Sequence, residues 1–506
     1  MLQKQTKSHN FVHNDFDVAI IGAGINGAVA AAAASAAGLR VALVDKGDFA
    51  NFTSQESSNL VWGGIKYLQS YEFSLVAKLC QARNKLIRAY PNQIQEIGFL
   101  ASLGPNAPFG RVLGTFGTWF YWLIGTAGTE QPRSYSAKRA KELEPALIAG
   151  RKAVMYFDAH LPDNDSRFVY DFVRRAKSAG AKAWNYTTLT GSEKVSDGWR
   201  LTLEDSTGSR VISASTVINA AGPFAKDVAS LLQSPTSARL VFSKGVHFTI
   251  NRKLTEGNRV LALWDEQKRL FYVLPMGDRS MIGTTDTRVD HPETVADEAD
   301  VEFVLRQVNS QLGLEKPITK DEIISSRSGV RPLVIDGKQA EGQDWHALSR
   351  KHVIETNHEM GVVSILGGKL TDCLNVGKEV ISELRDLGFE PKLPRKWFGE
   401  GSQLRFTELV EMVSTQLEPE VSLRVAQGLW RRHGEAAFAV VASGDVNEVF
   451  EGLGICFAEL EYIAKHEDVH TREDLLRRRL PIAMARSASE IEQNQKLQKL
   501  LVDMGL

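Results

Sequence analysis

Three glycines near the start of the chain have the spacing of a phosphate-binding turn. Gly22, Gly24 and Gly27 form a G-x-G-x-x-G pattern directly after the apolar run of residues 18–21. In such a turn the first glycine permits a tight bend, the second lets the backbone approach a pyrophosphate, and the third allows a helix to pack closely on a strand. The chemistry that this spacing indicates is the binding of a dinucleotide.

The residues around the turn support this interpretation. The alanine-rich segment 28–37 predicts a slim helix whose positive N-terminal end faces the phosphates. Residues 40–44 predict a second strand, and Asp45 after it is placed to accept hydrogen bonds from a ribose. Together these elements predict a Rossmann-type domain, and the alternative is a glycine-rich turn with a purely structural role.

Three other segments make a flavin a better ligand than a nicotinamide cofactor. The loop 46–68 is long and rich in hydroxyl groups and glycine, so it can wrap a ligand. Residues 216–224 run from an apolar strand into a small-residue turn, and residues 362–371 run from a strand through two glycines into a helix. The candidate FAD-binding residues are Gly22, Gly24, Asn26, Gly27, Asp45, Lys46, Thr53, Ser54, Ser57, Gly63, Gly64, Ala221, Gly222, Gly368, Lys369, Leu370 and Thr371.

Composition limits the other function classes. The chain has 506 residues and a formal net charge of −1, which predicts two or three domains and provides no overall field to attract nucleic acid. Its three cysteines have no C-x-x-C spacing, so we expect no disulfide framework and no metal site, and a reducing, cytoplasmic compartment. No apolar signal segment precedes the first strand, and residues 1–15 predict a disordered tail.

The predicted organisation is an α/β region followed by a helical one. Short strands between residues 240 and 289 predict an antiparallel sheet that faces the substrate. Helix-forming residues dominate after residue 400 and predict a C-terminal helical domain, 401–506. Residues 16–400 then hold an FAD-binding domain (about 16–90, 150–235 and 355–400) interleaved with a substrate domain (about 91–149 and 236–354).

Two segments allow more than one interpretation. The uncharged aromatic run of residues 112–129 contains four glycines and is a poor membrane span, so we favour a core helix under the substrate domain. Contact with the interfacial zone of a bilayer is the alternative. The arginine run 477–479 predicts a solvated or interdomain face, with contact to anionic lipid as the alternative.

The ordered set of motifs resembles that of the FAD-dependent glycerol-3-phosphate dehydrogenases, the respiratory, quinone-linked kind, from about residue 17 to 486. The motifs are Ile21-Gly-Ala-Gly-Ile-Asn-Gly27, Val44-Asp-Lys-Gly-Asp-Phe49, Gly63-Gly-Ile-Lys-Tyr-Leu68, Lys244-Gly-Val-His247, Gly283-Thr-Thr-Asp286, Gly329-Val-Arg-Pro-Leu333, Gly367-Gly-Lys-Leu-Thr371 and Leu475-Leu-Arg-Arg-Arg479. The resemblance implies a glutathione-reductase-like FAD domain, an antiparallel substrate domain and a helical C-terminal domain.

The resemblance also implies the reaction and its residues. Hydride would pass from C2 of sn-glycerol 3-phosphate to N5 of FAD, and the electrons to a quinone at the membrane surface. The substrate-binding residues map onto Lys66, Arg350 and Lys369, and the catalytic residues onto His247 and Arg331. A phosphate dianion needs several cations, and an imidazole whose pKa lies near neutrality suits the C2 hydroxyl proton. Peripheral membrane association and a homodimer are further expectations.

Three positions depart from the family pattern. Trp62 replaces a basic residue or histidine, Lys66 replaces an arginine, and Asp372 begins the triplet that replaces Thr-Tyr-Arg. Because lysine does not reproduce the bidentate geometry of arginine, these changes leave the substrate open. The alternatives are an oxidase or dehydrogenase of the same fold for another phosphorylated polyol, hydroxy acid or amine, and a flavin-binding scaffold without catalysis.

Overall fold

The computed structural model describes residues 14–335 and 351–506, which are organised around two β-sheets. In chain order the strands are β1 (Phe16–Ile21), β2 (Val41–Val44), β3 (Leu60–Val61), β4 (Gln95–Leu103), β5 (Arg133–Tyr135), β6 (Lys152–His160), β7 (Lys182–Trp184), β8 (Thr188–Val195), β9 (Gly198–Asp205), β10 (Gly208–Asn219), β11 (Arg239–Ile250), β12 (Arg259–Trp264), β13 (Leu270–Met276), β14 (Arg279–Gly283), β15 (Thr287–Val289), β16 (Ile323–Ile335), β17 (His352–Asn357) and β18 (Val362–Gly367).

The helices follow the same numbering rule. They are α1 (Ile25–Ala36), α2 (Phe73–Ala89), α3 (Arg111–Ile124), α4 (Ala137–Leu143), α5 (Asp165–Ser178), α6 (Ala225–Leu231), α7 (Glu298–Gln311), α8 (Cys373–Asp386), α9 (Phe406–Ser414), α10 (Pro419–His433), α11 (Ala437–Ser443), α12 (Phe457–His466), α13 (Ile482–Ala485), α14 (Ala488–Gln493) and α15 (Gln495–Asp503). A π-helical segment, Asp474–Arg479, precedes α13.

The first sheet carries the predicted dinucleotide-binding elements. Its strand order is β17-β18-β10-β1-β2-β7, with β1 parallel to both β2 and β10. Strand β9 pairs antiparallel with β10, and β8 pairs with β9. The alanines of α1 are buried between this sheet and helices α5 and α8. Alanine has a short side chain, which lets three elements pack closely around one helix. The predicted strand–helix–strand order at residues 16–44 is confirmed.

The second sheet is mostly antiparallel and holds ten strands, in the order β15-β11-β14-β13-β12-β4-β6-β3 with β16 paired to β11 and β5 to β6. It has a core of its own beneath α7. The sequence assigns residues 16–90 and 150–235 to the FAD-binding domain. Strands β3 and β6 fall within these segments but belong to the second sheet, so the predicted boundaries at residues 90 and 150 do not coincide with the edges of that sheet. Sequence patterns identify a strand but not the sheet that it joins, since pairing joins residues far apart in the chain.

After residue 400 the described residues form helices α9–α15 and the π-helical segment and contain no strand. Buried ion pairs fasten this region to the rest of the chain. Arg167 at the start of α5 bonds Glu467, and Arg432 bonds both Asp163 and Glu459. The predicted fold class, α/β with a helical C-terminal region, is confirmed. Asn14 and Asp15, which fall in the predicted tail, bond Asp197 and Ser213.

Helix α3 contradicts the prediction of a core helix. Its buried residues are Gly114, Thr118 and Tyr121, which are small or polar, while Val112 is 70% exposed and Phe116 71% exposed. Large apolar side chains therefore face outward along the helix. Within the described residues, no helix combines the length and the apolar character that crossing a membrane requires.

Candidate active site

The glycine turn brings three elements to within contact distance. Gly22 has a positive φ of 101° and its N–H donates to the Val44 carbonyl. A Cβ on Gly27 would lie 1.8 Å from the Gly22 carbonyl oxygen, and one on Gly22 would lie 2.6 Å from that of Ala220. Only glycine allows this approach, which opens the N-terminal end of α1 toward a ligand.

Asp45 bonds the glycine turn itself. Its Oδ2 accepts the Ala23 N–H at 2.6 Å and its Oδ1 accepts the Gly47 N–H at 2.9 Å. Burial raises the pKa of Asp45 to about 6, although these two hydrogen bonds act in the opposite direction. In the structure its carboxyl group therefore orders the turn and the loop that follows it, and ribose binding by Asp45 stays a prediction.

A cavity of about 280 Å³ lies over the turn. It brings together many of the predicted cofactor residues, namely Gly22, Gly24, Asn26, Asp45, Lys46, Thr53, Ser54, Ala221, Gly222 and Gly368. Lys46 lies over the ring of Phe224, with 3.4 Å between its Nζ and the ring centroid. These predicted residues come from four separate parts of the chain, as is typical of a dinucleotide site at the carboxyl ends of parallel strands.

Asn26 provides a second test of fit for a dinucleotide. Its side-chain nitrogen donates to the Gly367 carbonyl at 2.9 Å, but its buried Oδ1 accepts no hydrogen bond from any of the residues that the structure describes. A buried polar atom without a partner needs an explanation, and a ligand donor in the adjoining cavity is one. The glycine turn and this oxygen both fit FAD, which would be held by the turn, the start of α1 and loop 46–57.

A larger cavity of about 550 Å³ adjoins the first and shares Thr53, Pro332 and Gly368 with it. It brings together Ser57, Lys66, His247, Arg331, Lys369 and Thr371 of the predicted site. Arg350, also predicted to bind substrate, lies outside the described residues. Gly27, Gly63, Gly64 and Leu370 line neither cavity.

Gly63 contacts residues that do not line the larger cavity. The Gly63 N–H donates to the buried carboxylate of Asp158, which also bonds Tyr121 and Arg83. A Cβ on Gly63 would lie 2.1 Å from the Tyr121 hydroxyl, so the position requires glycine. These contacts tie the turn before Lys66 to the inner face of α3.

His247 lies on β11 and is buried. Neither ring nitrogen has a hydrogen-bond partner among the described residues. Burial, with repulsion from Arg331 and Arg327, lowers the pKa of His247 to about 3. The expectation that its pKa lies near neutrality is therefore wrong. The imidazole is neutral at ordinary pH, and its lone pair is available to accept a proton.

Arg331 is held in a fixed position by the neighbouring strands. It stands on β16 opposite Ser243, and its Nη2 donates to Thr284 Oγ1 at 2.8 Å. Its Nη1 lies 3.4 Å from Asp286 Oδ1. A Cβ on Gly245 would lie 1.9 Å from Nη2, so the guanidinium lies against bare backbone. This packing orients the planar group along one wall of the larger cavity.

Two lysines also line this cavity. Lys369 Nζ donates to the Tyr67 hydroxyl at 2.9 Å and lies 4.1 Å from the centroid of that ring. Lys66 Nζ lies 6.0 Å from the same centroid. The three cations Lys66, Arg331 and Lys369 therefore surround one space, which suits an anion with several oxygens.

The three departures from the family pattern have different surroundings. Trp62 and Lys66 line the larger cavity, whereas Asp372 does not. Asp372 lies 3.0 Å from His352 Nδ1 and accepts a hydrogen bond from Asn375 at 2.6 Å. Burial acts to raise the pKa of Asp372, but its bonds to His352 and Asn375 outweigh burial and lower it. The change at Asp372 therefore belongs to an ion network outside the cavity.

Several residues that line the larger cavity are not among the site residues predicted from the sequence. They are Glu56, Gln69, Ser70, Trp264, Lys268, Arg269, Tyr272, Thr284, Thr285 and Asp286. The motif of residues 283–286 is part of the family resemblance, and its hydroxyl-rich turn after a buried strand was the signal that could have added Thr284 and Asp286. The residues of the β12–β13 turn carry no comparable signal, because only the pairing of the second sheet brings them to this cavity.

Replacing Gly27 by alanine is expected to abolish flavin binding, because the new methyl group would overlap the Gly22 carbonyl. The Gly117→Ala variant is the matched control, since its Cβ would meet no atom within 4 Å. The measurement is the ratio of flavin absorbance to protein absorbance in the purified variants. A Gly27→Ala protein with the wild-type ratio would contradict the close approach described here.

Comparison with known proteins agrees with this geometry. The family described as FAD dependent oxidoreductase matches residues 17–374. The aerobic glycerol-3-phosphate dehydrogenase of Staphylococcus saprophyticus subsp. saprophyticus is 30% identical over 393 residues, which cover 76% of this chain and 69% of that protein. The D-erythritol 1-phosphate dehydrogenase of Brucella abortus is 29% identical over 486 residues, which cover 92% of this chain and 93% of that protein.

A solved structure shows the same fold. The glycerol-3-phosphate dehydrogenase from Bacillus halodurans, complexed with FAD, has a TM-score of 0.74 and 20% identity, and the match covers 97% of this chain and 91% of that one. The chain therefore belongs to the FAD-dependent oxidoreductases, within the family of the glycerol-3-phosphate dehydrogenases, and its cofactor is FAD.

Proposed function

We propose that this protein oxidises sn-glycerol 3-phosphate to dihydroxyacetone phosphate and passes the electrons to a quinone. The observation that carries the proposal is a buried, neutral imidazole, His247, in a cavity that also holds Arg331, Lys66 and Lys369. Cations suit the phosphate of such a substrate, and the neutral base suits its hydroxyl group. When bound, FAD supplies a two-electron acceptor for the hydride that leaves C2.

The cations bind and orient the substrate. The planar guanidinium of Arg331 suits phosphate oxygens, and the two lysines add point charges to the same cavity. Holding the phosphate fixes the position of C2 within the cavity, which removes much of the entropy cost of the reaction. Arg350 is a further candidate for this role from the sequence pattern.

His247 accepts the proton of the C2 hydroxyl. Its pKa is depressed in part by Arg331 and Arg327, so an arriving phosphate dianion offsets the repulsion that disfavours the protonated ring. Binding of the substrate therefore makes the imidazole a stronger base at the moment when it is needed. Arg331 also stabilises the alkoxide as negative charge develops on the C2 oxygen.

A second substrate is supported by the cavity and by one relative. Trp62 and Lys66, two of the departures from the family pattern, line the larger cavity. A relative of this chain is named a D-erythritol 1-phosphate dehydrogenase. A longer phosphorylated polyol is therefore the alternative substrate class, with the same roles for His247 and Arg331.

The outer surface near the cavity suits a bilayer. The apolar patch consists of Tyr71, Phe73, Val112, Leu113, Phe116, Trp119, Phe120 and Leu123, all exposed. Phe73 of α2 packs against Phe120 of α3, with 5.5 Å between ring centroids, so the patch is continuous. Gln69 and Ser70, which line the larger cavity, directly precede Tyr71. Membrane binding through this patch would bring a lipid-soluble quinone near the site.

A cytoplasmic location and a homodimer stay predictions.

Anaerobic mixing with sn-glycerol 3-phosphate is expected to bleach the flavin absorbance, and a quinone analogue is expected to restore it. Arg331→Ala should lower kcat/KM at least about 100-fold, since it removes the orienting and charge-stabilising donors. Arg200→Ala, at an exposed arginine on β9, is the control.

The same experiment distinguishes the alternatives. Bleaching only by D-erythritol 1-phosphate would select the alternative substrate, and bleaching by neither compound would contradict both proposed substrates. Release of peroxide in air without a quinone would indicate an oxidase.

The His247 ring is expected to stay neutral in the free enzyme as the pH falls to about 4, because its pKa is about 3. Addition of dihydroxyacetone phosphate should move its protonation to a higher pH, since the phosphate neutralises the nearby cations. Histidine-labelled NMR titrations measure both values, and His247→Gln assigns the signal. Titration of the free enzyme near the ordinary value of 6.5 would contradict this account.

The double substitution Leu113→Ser and Phe116→Ser is expected to weaken binding to vesicles of phosphatidylethanolamine and phosphatidylglycerol about tenfold or more. Each of these side chains loses the stabilisation from burial in the interfacial zone. Vesicle flotation is the measurement, and Val502→Ser, at an exposed apolar residue of α15, is the control. A wild-type protein that does not float with the vesicles would refute the proposed bilayer contact.

A further inference from the structure

The arginine run of the C-terminal region contacts the cofactor loop. Arg477, Arg478 and Arg479, here called the arginine clamp, lie in the π-helical segment, and the last two are almost fully buried. Their guanidinium groups bond residues of the loop that leaves β2. The sequence predicts a solvated or interdomain face for the run, and the burial of Arg478 and Arg479 shows that the solvated alternative is wrong for these two residues.

Asp48 is the centre of these contacts. It has no solvent exposure, and Arg479 binds it with two hydrogen bonds of 2.7 and 2.9 Å. Arg478 Nε donates to the same carboxylate at 2.7 Å, and Asn185 adds a bond of 2.9 Å. The carboxylate of Asp48 is thus surrounded by four donors, two of them in bidentate geometry.

The other contacts of the clamp lie further along the same loop. Arg478 Nη1 donates to Gln55 Oε1 at 3.0 Å, and Arg477 Nη2 donates to Glu56 Oε1 at 2.7 Å. Glu56 in turn accepts the Ser328 N–H of β16 at 3.0 Å. Three successive arginines therefore hold both ends of the loop between Asp48 and Glu56.

The backbone of this loop needs such support. Ala50 and Phe52 are not glycines, yet their φ angles are 63° and 52°, in the left-handed region. Conformations of this kind persist only where the surroundings determine them. Thr53 and Ser54, which directly follow Phe52, and Lys46, which precedes Ala50 by four residues, line the cavity over the glycine turn. Ser54 Oγ also accepts the Ile25 N–H at the start of α1 at 3.0 Å.

We propose that the arginine clamp of the C-terminal region holds the loop 45–57 in the shape that binds FAD, so that Arg477, Arg478 and Arg479 are positioning residues for the cofactor. They touch neither cavity themselves and act through Asp48, Gln55 and Glu56. Loosening the clamp releases FAD faster from a protein that is otherwise folded. Retention of FAD by this loop does not depend on which substrate the enzyme oxidises.

The test is the rate of FAD release from the holoenzyme. Arg479→Lys keeps the charge but loses the paired hydrogen bonds to Asp48. We expect FAD release, measured after dilution by the fluorescence of free flavin, to accelerate at least tenfold. The fine structure of the bound flavin absorbance band should weaken as well. Arg472→Lys, at an exposed arginine of the same region that bonds Gln498 and Leu506, is the matched control and should release FAD at the wild-type rate.

A compensating variant separates positioning from general stability. In the double variant Asp48→Glu with Arg479→Lys, the longer side chain at position 48 compensates for the shorter one at position 479. FAD release from this variant is expected to return to within about threefold of the wild-type rate. Tryptophan fluorescence in urea monitors global unfolding of each protein. The proposal is overturned if Arg479→Lys releases FAD at the wild-type rate, or if release follows global unfolding in every variant and the double variant restores nothing.

Arg477→Lys is the second variant should Arg479→Lys fail to fold, because Arg477 and Glu56 are partly exposed. It is expected to release FAD at least threefold faster with unchanged urea unfolding. Wild-type release from this variant would then overturn the proposal. Neither measurement uses substrate, so failure here and failure of the proposed reaction are distinguishable.

Discussion

The carboxylate of Asp48 is out of contact with solvent, and its charge is balanced by Arg478 and Arg479 from near the end of the chain. A buried carboxylate without such partners would cost several kcal/mol. These ion pairs connect the loop that holds Asp48 to the C-terminal region. The same loop begins at Asp45, which orders the glycine turn, and ends beside the cavity that holds His247. One ion cluster thus links the dinucleotide site, the larger cavity and the helical C-terminal region.

The larger cavity collects positive charge. Arg327 and Arg331 both raise the cost of protonating His247, and burial disfavours the cationic form of Arg327 itself. Asp165 and Asp286 offset part of this charge, since each lies close to one of these arginines. An anionic ligand would complete the balance. The neutral imidazole and the proposed affinity for an anion therefore have the same electrostatic origin.

Substitutions that look alike in the sequence differ in the structure. Asp372 pairs with His352, and His352 also lies 2.6 Å from Glu379. A local ion network therefore accommodates the departure from the family pattern at Asp372. Trp62 and Lys66 instead line the larger cavity and affect its shape and charge directly.

Helix α3 connects the residues beside the larger cavity to the protein surface. Its inner residue Tyr121 bonds the Asp158 carboxylate behind Gly63, while its outer residues form the apolar patch.

The sequence by itself determined the parts that depend on neighbouring residues. The glycine spacing at 22–27, the alanine helix and the acid at Asp45 are consecutive, so their local geometry follows from their order. The family resemblance identified FAD and five candidate catalytic and substrate-binding residues, and the structure brings four of them, Lys66, His247, Arg331 and Lys369, to one cavity.

Only the tertiary structure decided the features that depend on distant parts of the chain. Helical periodicity shows that Val112, Phe116 and Leu123 share a face, but not that this face points outward. The pKa of His247 depends on desolvation and on two arginines of β16, which a strand pairing brings to it. The role of the arginine run depends on Asp48, more than 400 residues away. Burial and long-range electrostatics are properties of the folded arrangement, and residue order does not specify them locally.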